Sequence, residues 1–298
     1  MNLAARIALG TAQFGLDYGV TNRGGQVPED GVRAVLARAH ELGTEWLDTA
    51  AAYGTAETVV GRLAGPESGF RICTKVVCAA DAADPVGRAQ QQFEASLARL
   101  RRRSADVLMI HDAQQLLGAE GEALYRWFIA QKEAGRARAI GASVYDGAEA
   151  LALTEHYRLD WIQLPLNVLD QRALVGGALA RLKLRGVSIQ ARSALLQGLL
   201  LADPACLPAV LAAARAPLAR VRAAAAACGV SPLALALGFV ASVAEVDLIV
   251  LGVESPAQFD ECVHALGTPA EASWRDLACN DAVVVDPRRW PAGVRVAG

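Results

Sequence analysis

Glu45-Trp46-Leu47-Asp48, Phe70-Arg71-Ile72-Cys73-Thr74-Lys75-Val76 and Asp106-Val107-Leu108-Met109-Ile110-His111 are three short apolar runs, and each delivers a titratable side chain at or next to its C-terminal end. Runs of this length suit buried strands, and the segments between them keep a helical period, so the stretch reads as consecutive βαβ units feeding one parallel sheet. The alternation extends outward in both directions, with strands expected at 6–10, 45–48, 70–76, 106–111, 137–143, 161–164, 187–191 and 247–252. Across 28–42, Val32, Val35, Leu36, Ala39 and Leu42 form one apolar stripe, and Gly43 follows as a helix stop. Residues 171–185, 216–228 and 232–243 continue the helical pattern, with Ser231 before Pro232 reading as a helix start. Eight strand–helix pairs without a Gly/Ser-rich linker favour a closed (β/α)8 barrel, a single domain over 1–298. An open doubly wound sheet is the competing arrangement, but no G-x-G-x-x-G follows the first strand, so the usual dinucleotide turn of such a sheet is missing.

Composition narrows the function. Of the 298 residues 53% are hydrophobic and 20% charged, which describes a protein with a large buried core. The formal net charge is -2 and the arginines are dispersed except at Arg101-Arg102-Arg103, so nucleic acid is not an expected partner. That triplet closes a predicted helix, where a solvated cationic end suits the helix dipole. The six cysteines show no C-x-x-C or metal-ligand spacing, so no metal is expected and a reducing cytoplasm fits best. Met1 to Arg6 lacks the pattern of a signal segment, and no 18-residue apolar run suggests a membrane span.

In a closed barrel the reactive groups gather where strands run out at the C-terminal face. Asp48, Lys75 and His111 close consecutive strands, and the two-residue alternation of strand side chains lets all three point into the barrel mouth. The chain has three lysines, and Lys132 and Lys183 fall on helical faces where an exposed lysine is expected. Lys75 instead lies in an apolar strand, where an ammonium needs a carboxylate, and Asp48 on the neighbouring strand is available. Such a pair suits a structural ion pair as well as chemistry. Tyr53, five residues after Asp48 on the loop above the same mouth, adds a proton donor. A phenol has a reference pKa near 10, and an adjacent ammonium is expected to lower it. His111 is expected to orient a carbonyl oxygen or assist the proton transfer.

Asp48, Tyr53, Lys75 and His111, with Leu47-Asp48-Thr49-Ala50-Ala51-Ala52-Tyr53-Gly54 and Thr74-Lys75, resemble the aldo-keto reductases over nearly the whole chain. The resemblance implies a (β/α)8 barrel that reduces an aldehyde or ketone, or oxidises the matching alcohol, with NADPH or NADH. Tyr53 is then the general acid, Lys75 and Asp48 tune it, and His111 positions the carbonyl. It also implies that the dinucleotide lies extended over the barrel mouth. Ser143 and Gln163 are similar to the pair that binds the nicotinamide carboxamide, although Val144 replaces the usual Asn after that serine. Gly10 ends the first strand and Thr11 follows it at the same mouth. The stretch Ala191-Arg192-Ser193-Ala194-Leu195-Leu196-Gln197-Gly198 is similar to the pyrophosphate loop, with Arg192 in the place of a stacking aromatic. Arg192 then either covers the nicotinamide or grips an anionic substrate. Gly252, Glu254 and Gln258 fall in the adenosine turn without a Lys or Arg for a 2′-phosphate, which leaves NADH or dual use open beside the family's usual NADPH.

Phe14, Asp17 and Tyr18 after the first strand, Tyr145 and Asp146 after the fifth, and Trp290 in a C-terminal tail of about 268–298 are expected to border the substrate, together with Tyr53 and His111. The mix of Asp and Tyr suggests a small polar carbonyl compound such as a sugar. Two other readings stay open: an NAD-dependent aldose 1-dehydrogenase, and a cofactor-sensing protein similar to the potassium-channel β-subunits. Oligomeric state is not readable from the sequence.

Overall fold

The computed structural model describes residues 2–78, 84–270 and 272–296; Met1, residues 79–83 and, within the expected tail, residues 271 and 297–298 lie outside the described residues. Eight parallel strands form a closed barrel in chain order: β1 Ile7–Gly10, β2 Trp46–Asp48, β3 Arg71–Val76, β4 Ala105–Ile110, β5 Ala137–Ser143, β6 Trp161–Pro165, β7 Ser188–Arg192 and β8 Leu248–Gly252. β1 closes the ring against β8, pairing Gly10 with Gly252. Every expected strand is present, with no end shifted by more than one residue.

Two cores follow from strand alternation. The outward side chains, among them Leu9, Leu47, Ile72, Leu108, Ile140, Ile162, Ile189 and Leu251, pack against the surrounding helices, including Glu29–Glu41, Pro85–Leu100, Gly121–Glu133 and Pro232–Ser242. Inside the barrel a small apolar layer of Cys73, Val107 and Met109 is flanked by Trp46, Ala139 and Trp161, with the two indoles 5.5 Å apart. Gly141 makes this layer possible, since a β-carbon there would lie 2.5 Å from the carbonyl oxygen of Trp161. Above it sits a polar layer of Asp48, Lys75, Ser143, Gln163 and Gln190, each at most 2% exposed.

The opposite, N-terminal face is closed by a repeated device. Asp106, Asp160 and Asp247, at the starts of β4, β6 and β8, accept from the N–H groups of Ile72, Ile140 and Ile189 at 2.8, 2.9 and 2.6 Å. Arg138, Lys132 and Lys183 pair with these carboxylates at 3.5, 2.7 and 2.7 Å. Lys132 and Lys183 are therefore tied to strand ends rather than freely solvated.

Two local expectations change. Residues 171–185 do not form one helix: Gly176 and Gly177 take left-handed φ of 66° and 67°, which confines the α-helix to Ala178–Leu184. Of the arginine triplet closing Pro85–Leu100, Arg102 is half-buried and donates to the carbonyls of Ala64 and Gly65, both at 3.1 Å, so it docks the preceding loop instead of standing in solvent. No single helix among the described residues is long and apolar enough to cross a membrane.

One close approach connects fold to site. A β-carbon on Gly15 would lie 2.0 Å from the carbonyl oxygen of Tyr53 and 2.2 Å from the nitrogen of Ala56, so the turn after β1 clamps the loop that carries Tyr53. Because both obstructing atoms are backbone, Gly15→Ala is expected to destabilise the protein by about 1–3 kcal/mol in urea unfolding, with the Tyr53 loop displaced.

Candidate active site

The polar layer is organised by one buried ion pair. Lys75 Nζ donates to Asp48 Oδ1 and Oδ2 at 2.7 and 2.8 Å and to the carbonyl of Thr49 at 3.0 Å, so its three protons are all placed. Burial is the largest single influence and acts to discharge the ammonium, but the charge and hydrogen bond of Asp48 together with neighbouring Tyr53 and Cys73 outweigh it and hold the Lys75 pKa above its usual range. Asp48 Oδ2 also accepts from Gln163 Nε2 at 2.7 Å, and that amide donates to Gln190 Oε1 at 2.6 Å. The network thus spans four strands.

Above the pair, Lys75 Nζ lies 5.2 Å from the centroid of the Tyr53 ring, and the His111 ring meets Tyr53 edge-on at 5.8 Å. Burial raises the Tyr53 phenol above its ordinary pKa, and the charges of Lys75 and Arg192 pull it back only in part. The expected net lowering by the ammonium is not what this geometry gives, since removing the phenol from water is the larger effect. Burial, reinforced by the charges of Lys75 and Arg192, pushes His111 down to about 3, so the ring is neutral at physiological pH. Its Nδ1 is buried and has no hydrogen-bond partner among the described residues.

A cavity of about 520 Å³ opens over this constellation at the C-terminal mouth. Asp48, Tyr53 and His111 line it, whereas Lys75 lies beneath. All the sequence-derived cofactor positions border it: Gly10, Thr11, Asp48, Ser143 and Gln163 at the mouth, Arg192, Ser193, Leu195 and Gly198 on the loop after β7, and Gly252, Glu254 and Gln258 after β8. The loop is conformationally unusual. Ser193, Leu196, Gln197 and Gly198 take φ of 58°, 50°, 56° and 90°, and buried Asn167 holds the Ser193 carbonyl through Nδ2 at 3.1 Å. Such backbone is tolerated where surrounding bonds over-determine it. A further brace runs across the rim, where Val296 N–H donates to the Val20 carbonyl at 2.8 Å and Val20 N–H to the Gln197 carbonyl at 2.9 Å. Beyond β8, Ser255 caps the helix Pro256–Leu266, and Gln258 Oε1 accepts from the Glu254 N–H at 2.8 Å. Burial raises the Glu254 carboxyl above its usual range.

The expected substrate border is only partly assembled. Tyr18 and Tyr145 line the cavity beside Tyr53 and His111. Phe14 does not: its ring is fully buried in the outer core. Trp290 is also packed in that core, with its indole N–H on the Val283 carbonyl at 2.8 Å. Asp17 is ion-paired with Arg295 at 2.7 Å, and Asp146 caps the helix Gly147–His156 by accepting from Glu149 N–H at 2.9 Å, so neither acid faces the cavity. The tail contributes Pro287 and Arg288 instead. Gln190 and Arg288 were not anticipated. Gln190 stands two residues before Arg192 in an apolar strand, the same signal that marked Lys75, whereas nothing in the sequence around Arg288 distinguishes it from a surface arginine.

The mouth of this barrel thus holds a buried Lys–Asp pair beneath a tyrosine and a neutral histidine. The chain belongs to the aldo/keto reductase family, whose model matches residues 6–273. That family acts on small-molecule carbonyl compounds with nicotinamide cofactors. Among solved structures, the holo form of an aldo-keto reductase from Bacillus halodurans is similar with a TM-score of 0.73 at 20% identity, covering 95% of each chain. The glycerol dehydrogenase of Gluconobacter oxydans is similar with a TM-score of 0.68 at 22% identity, covering 98% of this chain and 95% of that one. At these identities the likeness carries the fold alone. No curated protein matches the chain.

Two outcomes follow from the electrostatics. Lys75→Met, which strands Asp48 as a buried unpaired charge, is expected to cost about 3–5 kcal/mol in urea unfolding, and adding Asp48→Asn to it should recover most of the loss. His111 binds its proton near pH 6.5 when unfolded but only near 3 when folded, so its contribution to stability is complete above pH 6.5 and declines as pH falls towards 3. Over that window it steepens the stability curve by up to about 1.4 kcal/mol per pH unit, and His111→Asn should flatten a denaturation series taken there.

Proposed function

We infer that this protein reduces an aldehyde or ketone to the alcohol with a nicotinamide cofactor, NADH being accepted in preference to NADPH, and with Tyr53 as general acid. The observation that carries this reading is the stack of Asp48, Lys75 and Tyr53 facing neutral His111 at the cavity floor.

The donor set suits a dinucleotide. Ser143 Oγ and Gln163 Oε1 have no partner among the described residues, although both side chains are buried, and together they match the amide and carbonyl of a carboxamide. The N–H groups of Ala194 and Leu195 likewise find no acceptor among the described residues and lie in the positive-φ loop, an arrangement that favours phosphate oxygens. Gly252 leaves room for Gln13, whose Oε1 would be 2.4 Å from a β-carbon there. Among the described lining residues the cations are Arg192 and Arg288, while Glu254 and Glu261 stand at the end beyond β8. Acids at that end repel a 2′-phosphate and accept a hydrogen bond from a free ribose hydroxyl.

When bound, the reduced nicotinamide supplies a hydride to the carbonyl carbon. Tyr53 supplies the proton to the oxygen. Its raised pKa keeps it protonated at neutral pH, ready to act as the acid, and Lys75 stabilises the phenolate once the proton has left. Neutral His111 offers Nε2 to the carbonyl oxygen, fixing it beside the phenol, while the ion pair below holds Lys75 at one height.

Tryptophan-fluorescence titration with NADH and NADPH is expected to show tighter binding of NADH, and Glu254→Arg should shift the ratio towards NADPH by roughly tenfold. Tyr53→Phe should retain cofactor binding and lose about 10²–10⁴-fold in turnover on an aldehyde panel. Tight binding with no turnover by the unaltered enzyme would instead indicate a cofactor sensor, and undiminished turnover in Tyr53→Phe would remove the phenol from the chemistry.

A further inference from the structure

The substrate end of the cavity carries an unbalanced positive charge. Arg192 lines it and has no carboxylate partner among the described residues: one guanidinium nitrogen donates to the Val144 carbonyl at 3.0 Å and another to Ser193 Oγ at 3.4 Å. Those are two of its five N–H donors, so three remain for a ligand. One guanidinium face is covered by Tyr145, with Cζ 4.8 Å from the ring centroid, and Arg288 approaches the same ring to 3.3 Å. Tyr145 therefore spaces two arginines along one wall. Arg288 is already balanced by Asp286, with paired bonds of 2.9 and 2.7 Å, just as Lys75 is balanced by Asp48. Asp17 and Asp146, the acids expected from the sequence to border the substrate, are engaged elsewhere. What remains next to Tyr53 and His111 is a net charge of about one unit, from Arg192.

We propose that the substrate is a carbonyl compound bearing a single carboxylate, which Arg192 grips at the cavity wall while Tyr145 and Arg288 hold that guanidinium in place. This rests on the carbonyl-reductase reading and specifies its substrate class. A carboxylate matches both the planar guanidinium fork and the single uncompensated charge, whereas a phosphate monoester brings nearly two charges to a site that offers one. The carboxylate takes no part in bond changes. The carbonyl carbon gains a hydride from the reduced nicotinamide, which is thereby oxidised, and the oxygen gains the proton of Tyr53. Arg192, Tyr53 and His111 line one cavity, which places the anion and the reacting carbonyl in one compartment.

Matched pairs test this: succinate semialdehyde against its methyl ester, glucuronate against glucose, and glyceraldehyde phosphate against glyceraldehyde, each with saturating NADH. The acid of the first two pairs should be preferred in kcat/KM by about tenfold or more, chiefly through KM. The preference should vanish in Arg192→Gln, return in part in Arg192→Lys, and weaken in Arg288→Gln. Taking the ratio within each pair cancels any general effect of these substitutions on cofactor binding. Equal kcat/KM within the pairs, or a preference that survives Arg192→Gln, would overturn the proposal and leave the reductase reading standing. Preference for the phosphorylated aldehyde alone would overturn the carboxylate assignment. If no compound is turned over, the reductase reading fails, and calorimetry with the monocarboxylate butyrate on cofactor-loaded protein decides the anion site. Binding abolished by Arg192→Gln supports it, and no binding overturns it.

Discussion

Everything above the apolar floor of this barrel depends on an ammonium that cannot leave and cannot lose its proton. Lys75 is fully buried, and its three donors are fixed by Asp48 and the Thr49 carbonyl. An isolated charge at that depth is prohibitively costly, so the strand order that brings β2 beside β3 is also what makes the lysine tolerable. Because Asp48 also accepts from Gln163, whose amide in turn donates to Gln190, the pair is part of a network in which each member restricts its neighbours. The phenol of Tyr53 then meets a charge of fixed height, and its proton affinity is set by two opposed effects, burial and that charge.

The cavity is polarised along its length. Acids stand beyond β8, the charge-balanced ion pair occupies the floor, and an unneutralised guanidinium stands near the reacting groups. These features originate in different strands, yet closure of the sheet brings them to one rim, as barrel topology requires. The N-terminal face, with its three aspartates accepting from strand N–H groups, contributes stability without touching this field.

The barrel was legible because parallel strands buried on both faces read as nearly continuous apolar runs, and a polar residue at the end of such a run stands out. Asp48, Lys75 and His111 stand out in that way, whereas Ser143 and Gln163 rest on the resemblance to the aldo-keto reductases. The same rule applied to 187–191 would have found Gln190. Residues 171–185 misled because the apolar spacing fits a helix until two consecutive glycines adopt positive φ. Phe14 and Trp290 misled for a different reason: position near a strand end does not say which way a ring turns, and large aromatic surface gains most by entering the outer core. The sign of the Tyr53 shift was out of reach because it depends on how much water the folded cavity excludes.

The brace from Val296 through Val20 to Gln197 has a mechanical meaning. The last described turn of the chain, the loop after β1 and the loop after β7 are joined in series by two backbone bonds. Arg295 reinforces the first joint by donating to the Gly19 carbonyl at 2.6 Å. Whatever enters or leaves beneath residues 193–198 must wait for that stitch to open or must thread past it. The residues up to Val296 thereby tie two loops of the mouth to one another, so that displacing them would release both at once.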